Sequence, residues 1–204
     1  LTDKPDNAPP RSGAETKADT TAGLSGLEAL IAQSSEKGLP PVHLWNPDYC
    51  GEIGMRIASD GTWFYQGSPI GRKPLVRLFS TVLRKDEDGQ TYLVTPVEKI
   101  GIDVDDAPFL GVEMAVTGIG RDQVLTFRTN VDDVVECGPD HPLRFEVEEP
   151  HGGLKPYLLV RGRLEALVTR ALYYDLVELA VTDGAGDNSR FGLWSGGEFF
   201  EMAH

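Results

Sequence analysis

The chain is poor in cysteine, in histidine and in long apolar runs, and it carries none of the common catalytic signatures. Its two cysteines, Cys50 and Cys137, lie far apart and form no C-x-x-C pair. A disulfide framework or a zinc ribbon is therefore not expected, and the pair reads as reduced thiols of a cytoplasmic protein. The four histidines (His43, His141, His151 and His204) sit in Pro/Gly-rich stretches or at the terminus, without an H-x-x-x-H spacing. Ser68, Ser80 and Ser195 lack the G-x-S-x-G frame of a strained nucleophile. No run approaches the ~18 apolar residues that cross a bilayer. No basic segment followed by an apolar one opens the chain, so a secreted product is not expected either. Neither a catalytic residue, a resident metal nor a cofactor is expected on these grounds.

Positive charge is also scarce. Nineteen Lys and Arg face 32 Asp and Glu, for a net charge of −13. Such a chain repels polyanions on average, so nucleic acid polymers and anionic membranes are excluded as default partners. The charge is uneven, however. Residues 61–85 hold five cations (Arg72, Lys73, Arg77, Arg84 and Lys85) and no acid, whereas residues 98–149 hold thirteen acids and four cations. A small anion can still find a local positive site.

What is present reads as ordinary globular composition, 40% hydrophobic and 25% charged, with 23 glycines and 14 prolines that favour turns and short strands. Residues 1–22 hold almost no large apolar side chain and are expected to form a disordered tail. Residues 23–37 place Leu24, Leu27, Leu30 and Ile31 at helical spacing before Gly38 and two prolines. Residues 52–58 alternate as a strand, Asp60-Gly61 supplies a turn, and the aromatic run Trp63-Phe64-Tyr65 returns as its partner. After a Gly/Pro corner the spacing predicts an amphipathic helix over 73–84. Strands are expected over 97–104, 110–116, 124–129, 134–136, 143–148 and 157–160, then a helix over 163–175, then closing strands at 177–181 and 191–202 with a turn at Ser195-Gly196-Gly197. The expected domains are thus an N-terminal α+β unit at 23–96 and a strand-rich unit at 97–204. Two internal echoes compete: residues 63–67 with 157–162, each before a helix, and residues 59–61 with 195–197. They cannot both belong to one duplication.

Few constellations bear on chemistry. The Gly67–Lys73 stretch misses the G-x-x-x-x-G-K-[ST] spacing, and Pro69 removes a donor. The helix start near Lys73, flanked by Arg72, suits a phosphate or carboxylate, with a solvated basic face as the competing reading. Asp103, Asp105 and Asp106 do not continue as a calcium loop, since Pro108 and Met114 stand where glycine and glutamate are needed. Lys99 stands between acids and reads as an ion pair or, at a seam between halves, as a second anion holder beside Arg72.

The run from Pro41 to Arg84, with its W-F-Y-Q-G-S-P-I corner, and the later T-P-V-E-K-I-G-I-D-V-D-D-A-P-F-L resemble the bacterial domain of unknown function 1285 family. The likeness spans residue 39 to the C-terminus and is densest over 41–110. It implies an α+β fold of two strand-rich subdomains from a duplication, the second a small antiparallel barrel superficially like a pleckstrin-homology domain. It also implies a groove between the halves that receives a nucleotide-like ligand, with a role in signal transduction, including stress responses. The residues expected to line such a site are Trp63 and Tyr65 for stacking, Arg72, Arg77 and Lys99 for phosphates, and Asp105 for a ribose hydroxyl. The competing expectations are an adaptor for a signalling protein partner without a small ligand and, third, a hydrolase of phosphate esters with a metal on Asp103 and Asp105.

Overall fold

The computed structural model describes residues 26, 28, 29, 31, 38–148, 152–186 and 189–203. The expected tail lies outside the described residues, as do Leu24, Leu27 and Leu30; Gly26, Glu28, Ala29 and Ile31 are helical. Among the described residues, fifteen strands and two longer helices follow. The first half comprises β1 (Tyr49–Ile57), β2 (Trp63–Tyr65), β3 (Ser68–Pro69), α1 (Lys73–Thr81), β4 (Leu83–Lys85), β5 (Thr91–Val94) and β6 (Lys99–Val104). The second comprises β7 (Phe109–Thr117), β8 (Val124–Thr129), β9 (Val134–Glu136), β10 (Leu143–Glu148), β11 (Gly153–Arg161), β12 (Leu164–Val168), α2 (Arg170–Leu179), β13 (Val181–Asp183), β14 (Arg190–Ser195) and β15 (Glu198–Ala203).

The strand order carries the duplication. The first sheet runs β3-β2-β1-β6-β5-β4, and the second, read from one end, runs β9-β8-β7-β12-β11-β10. Each label rises by six. The pairing sense repeats too: the central pairs β1/β6 and β7/β12 are parallel and the flanking pairs antiparallel. Neither sequence echo matches this relation, since one aligns β2 with β11 and the other aligns the β1–β2 turn with the β14–β15 turn. The second sheet therefore contains a parallel pair, and α2 follows it rather than sitting inside the repeat as α1 does. Because β6 lies at the centre of the first sheet, the boundary between the halves falls after Val104, not at residue 96. An α+β class with two strand-rich subdomains describes the molecule.

Two helix boundaries differ from the periodicity. The first helix stops at Thr81, because Ser80 and Thr81 turn their hydroxyls back onto the carbonyls of Arg77 and Leu78, 2.7 Å each, and β-branched Val82 then leaves the helix. Leu83 pairs with Leu93 instead. The residues 164–168, assigned by spacing to a helix, form β12 with alternating burial, wedged between β11 and β7. The helix begins only at Arg170 and runs through the first residues expected to form a closing strand. The Ser195-Gly196-Gly197 turn forms as expected, with φ of 57° and 81° at its glycines, which a two-residue hairpin requires.

A single apolar core spans both halves. It joins Trp63, Phe79 and Leu93 of the first to Phe109, Phe127 and Leu158 of the second, and takes in Ile31. The three-stranded sheet β13–β15 closes the far side: Ser195 Oγ donates to the Cys137 carbonyl (2.7 Å) and accepts from the Leu125 amide (2.9 Å). Burial raises the Cys137 thiol to about 12, so it behaves as a core residue rather than a nucleophile.

Candidate functional site

Polar contacts across the seam frame two cavities. Arg161, at the end of β11, donates to the Ser80 carbonyl of α1 (2.7 Å) and to Asp133 (2.5 Å), with its guanidinium 4.8 Å from the Phe109 ring centre. Gly162, at φ 55°, turns the chain tightly into β12, and Arg163 beyond it reaches Glu87 of the β4–β5 turn at 2.9 Å.

The first cavity, about 640 Å³, opens beside this hairpin. Its other walls are β4 and the segment 39–46, which contains a short 3-10 turn at Val42–Leu44. Arg84 holds that segment in place. Its Nη1 donates to the carbonyls of Val42 (2.9 Å) and Trp45 (2.6 Å), while Nε and Nη2 grip Asp86 at 2.6 and 3.1 Å. Lys99 adds a third bond to Asp86 at 2.7 Å and lies 4.0 Å from the Tyr92 ring centre. Burial pushes the Asp86 carboxyl up, but the hydrogen bonds from Arg84 and Lys99 outweigh it and hold the group below the usual carboxylate range. The cavity wall thus offers four cations (Arg84, Lys85, Arg161 and Arg163) and His43 against Asp86, the one acid among its lining residues, which is already neutralised. Trp45 is half-buried in the same wall. The side chains of Lys85 and His43 make no hydrogen bond or ion pair among the described residues, whereas those of Arg84 and Arg161 are engaged.

The second cavity, about 720 Å³, lies between the start of α1, the β1–β2 turn and the β8–β9 turn. Three of its lining charges form a chain that runs on to Glu113: Arg77 meets Asp132 at 3.2 Å, Asp132 meets Arg128 at 2.9 Å, and Arg128 also pairs with Glu113, while the exposed Lys73 at the helix start makes no ion pair among the described residues. Its helix start is a weak anion site. Pro74 has no amide hydrogen, and the Leu75 and Val76 amides both donate to the Arg72 carbonyl. Among the described residues no three His, Cys, Asp or Glu side chains gather to hold a metal. No helix among them is long and apolar enough to cross a membrane.

A model described as the N-terminal domain of the domain of unknown function DUF1285 matches residues 40–107, and one described as the C-terminal domain of the same family matches 108–202. The chain belongs to the DUF1285 family. The two family domains meet at residues 107 and 108, within the β6–β7 turn where sheet pairing also sets the boundary. A crystal structure of a DUF1285 family protein from Silicibacter pomeroyi DSS-3 is similar at 50% identity and a TM-score of 0.78, over 87% of this chain and 94% of that one. A second, from Shewanella baltica OS155, gives 25% identity and a TM-score of 0.49 over 62% and 91%. No curated protein matches the chain.

The six residues expected to line a site in this DUF1285 chain do not converge. Trp63 and Arg77 border the second cavity, but Trp63 is 1% exposed and stacks on Phe79. Tyr65 is buried, at 7% exposure. Arg72 points outward to Glu28 at 3.2 Å. Lys99 stands behind the first cavity on Asp86. Asp105 is gripped by Arg56 at 2.5 and 2.7 Å beside a third, polar cleft of about 390 Å³. The hydrogen bond from Arg56 holds its carboxyl below the usual range. The residues that do share a cationic, aromatic cavity, Trp45, Lys85 and Arg163, lay outside the expected set. Lys85 belongs to the acid-free basic run, and Arg163 follows a glycine at a strand end. Both signals were legible as charge and turn, but their convergence depends on the chain's folding.

Proposed function

We propose that the chain is a sensor module that binds a small anionic, nucleotide-like molecule in the first seam cavity and transmits its presence as a signal. The observation that carries this reading is the wall itself: Lys85 without a partner among the described residues, Arg163 held only by an exposed carboxylate, a half-buried tryptophan and apolar lining, contributed by both subdomains, in a protein of net charge −13. A volume near 640 Å³ falls within the range of about 300–1,000 Å³ typical of small-molecule sites. The indole of Trp45 supplies a flat face for a nucleobase, and Lys85 and His43 supply donors for phosphate.

A thermal-denaturation panel of purine and pyrimidine nucleotides tests this reading. A ligand at a hundredfold excess over its dissociation constant stabilises the fold by about 2.7 kcal/mol, several degrees for a chain of this size. The same ligand is expected to stabilise Trp45→Ala far less. A flat response to the whole panel would remove the proposal.

A further inference from the structure

Arg163 and Glu87 form the outermost contact at the first cavity. The arginine belongs to the β11–β12 turn of the second half and the glutamate to the β4–β5 turn of the first, and their side chains are 56% and 87% exposed. The pair is therefore a solvated ion pair of the kind that contributes little to stability and exchanges readily. Arg163 lines the cavity and Glu87 does not. Lys85, two residues before Glu87, lines the same cavity and has no partner among the described residues. The inner cations, Arg84 and Arg161, have committed their donors to main-chain carbonyls and carboxylates. Two cations thus remain to meet an incoming anion, one from each subdomain, and one of them is held by a carboxylate that an anion can displace.

Resting on the function proposed above, we infer that the cavity selects ligands carrying at least two negative charges on phosphate, clamped between Lys85 and Arg163, and that Glu87 competes internally for the Arg163 half of the clamp. A ligand with one phosphate charge satisfies Lys85 but does not displace Glu87. A phosphate dianion or diphosphate engages both cations and releases the Glu87 carboxylate to water. Two ionic contacts shared between the halves also make binding steeply sensitive to salt.

Isothermal titration of the full chain with adenosine, 3′,5′-cyclic AMP (one phosphate charge), AMP and ADP, and with the guanosine series, tests this. The expected order is AMP and ADP tighter than the cyclic monophosphate, with the bare nucleoside weakest. Glu87→Gln is expected to tighten diphosphate binding by three- to tenfold, and Lys85→Ala and Arg163→Ala each to weaken it more than tenfold while leaving any nucleoside binding unchanged. All three positions lie on the surface or at the rim, and unchanged circular dichroism and melting would confirm that the variants fold. Nucleotide binding that is indifferent to charge number, or unmoved or weakened by Glu87→Gln, would overturn the clamp while sparing the binding function. No binding by any member of either series, in wild type or in Glu87→Gln, would overturn both.

Discussion

The two seam cavities are built from the same materials and differ in how their charges are disposed. Each takes a tryptophan and several arginines, with walls from both subdomains. In the second, Arg77, Asp132, Arg128 and Glu113 satisfy one another, and Trp63 is sealed into the core against Phe79. In the first, Arg84, Asp86 and Lys99 form a closed network behind the wall, but Lys85, His43 and the face bearing Trp45 remain open in front of it. The second cavity also carries an exposed lysine, Lys73, without an ion pair among the described residues, but its tryptophan offers no open face; in the first, unpaired Lys85 stands with the half-buried Trp45. The combination of an unpaired cation with an accessible ring, rather than charge alone, is what favours the first cavity as the proposed site.

Replacing the two tryptophans gives the largest contrast. Trp63→Ala removes a fully buried ring and is expected to cost about 4 kcal/mol in urea denaturation. Among the described residues the buried Trp63 indole nitrogen has no hydrogen-bond partner, so Trp63→Phe, which removes that donor along with some volume, is expected to cost far less. Trp45→Ala, at a half-buried position, is expected to cost about 1 kcal/mol or less of stability while abolishing ligand-induced stabilisation. If Trp63→Phe abolished ligand stabilisation and Trp45→Ala did not, the two cavities would exchange roles.

The seam geometry offers a second test. Gly61 ends the β1–β2 turn at φ 79°, and an added Cβ would meet Asn130 Nδ2 at 2.8 Å across the joint. Asn130 is itself fixed, its Oδ1 accepting from the Leu110 main-chain amide and its main-chain N–H donating to the Leu110 carbonyl. Gly61→Ala combines left-handed strain with overpacking and is expected to cost about 2 kcal/mol, read from the urea midpoint.

Much of this contrast was within reach of sequence reading, and some was not. The Asp60-Gly61 and Gly196-Gly197 turns and most strands follow from local chemistry and alternation. The family resemblance rests on long contiguous strings, and from it came the expectation of a ligand between the halves. The helix limits failed where two periodicities overlap: the Leu164–Val168 run fits one face of a helix as well as it fits a strand, and only its insertion between β11 and β7 decides. The expected site residues do not converge, in part for an electrostatic reason. Arg72 and Arg77 sit in an acid-free stretch of chain, yet Glu28 and Asp132 reach them from 44 and 55 residues away. Sequence proximity reports which charges are neighbours along the chain, not which are neutralised.

The Asp86 network provides a pH-dependent test of the first cavity's hidden layer. Its carboxyl is held below the ordinary value of 3.8 by Arg84 and Lys99, against the opposing effect of burial. A depressed carboxyl stabilises the fold fully above its unfolded value, and the contribution disappears as the pH falls through the folded value. Asp86→Asn is therefore expected to be less stable than wild type by about 2 kcal/mol at pH 7, since it leaves a largely buried cation pair with a weaker acceptor. That difference should stay level down to about pH 5 and shrink below about pH 4. A gap that persisted unchanged at pH 2 would mean that Asp86 acts by packing alone.

The smallest expected effect is the sharpest discriminator. Arg77 and Asp132 are both well exposed, at 62% and 53% of their side chains, and Asp132 keeps Arg128 when Arg77 is lost. Arg77→Ala is therefore expected to change stability by no more than about 0.5 kcal/mol, and less in high salt. It is also expected to leave nucleotide affinity where it was. The substitution removes a cation from the second cavity's wall without unfolding the joint, while Asp132 keeps Arg128. A fall in affinity comparable to that of Lys85→Ala would show that ligand reaches this wall after all, and that ion pairing in the resting protein does not separate joint from site.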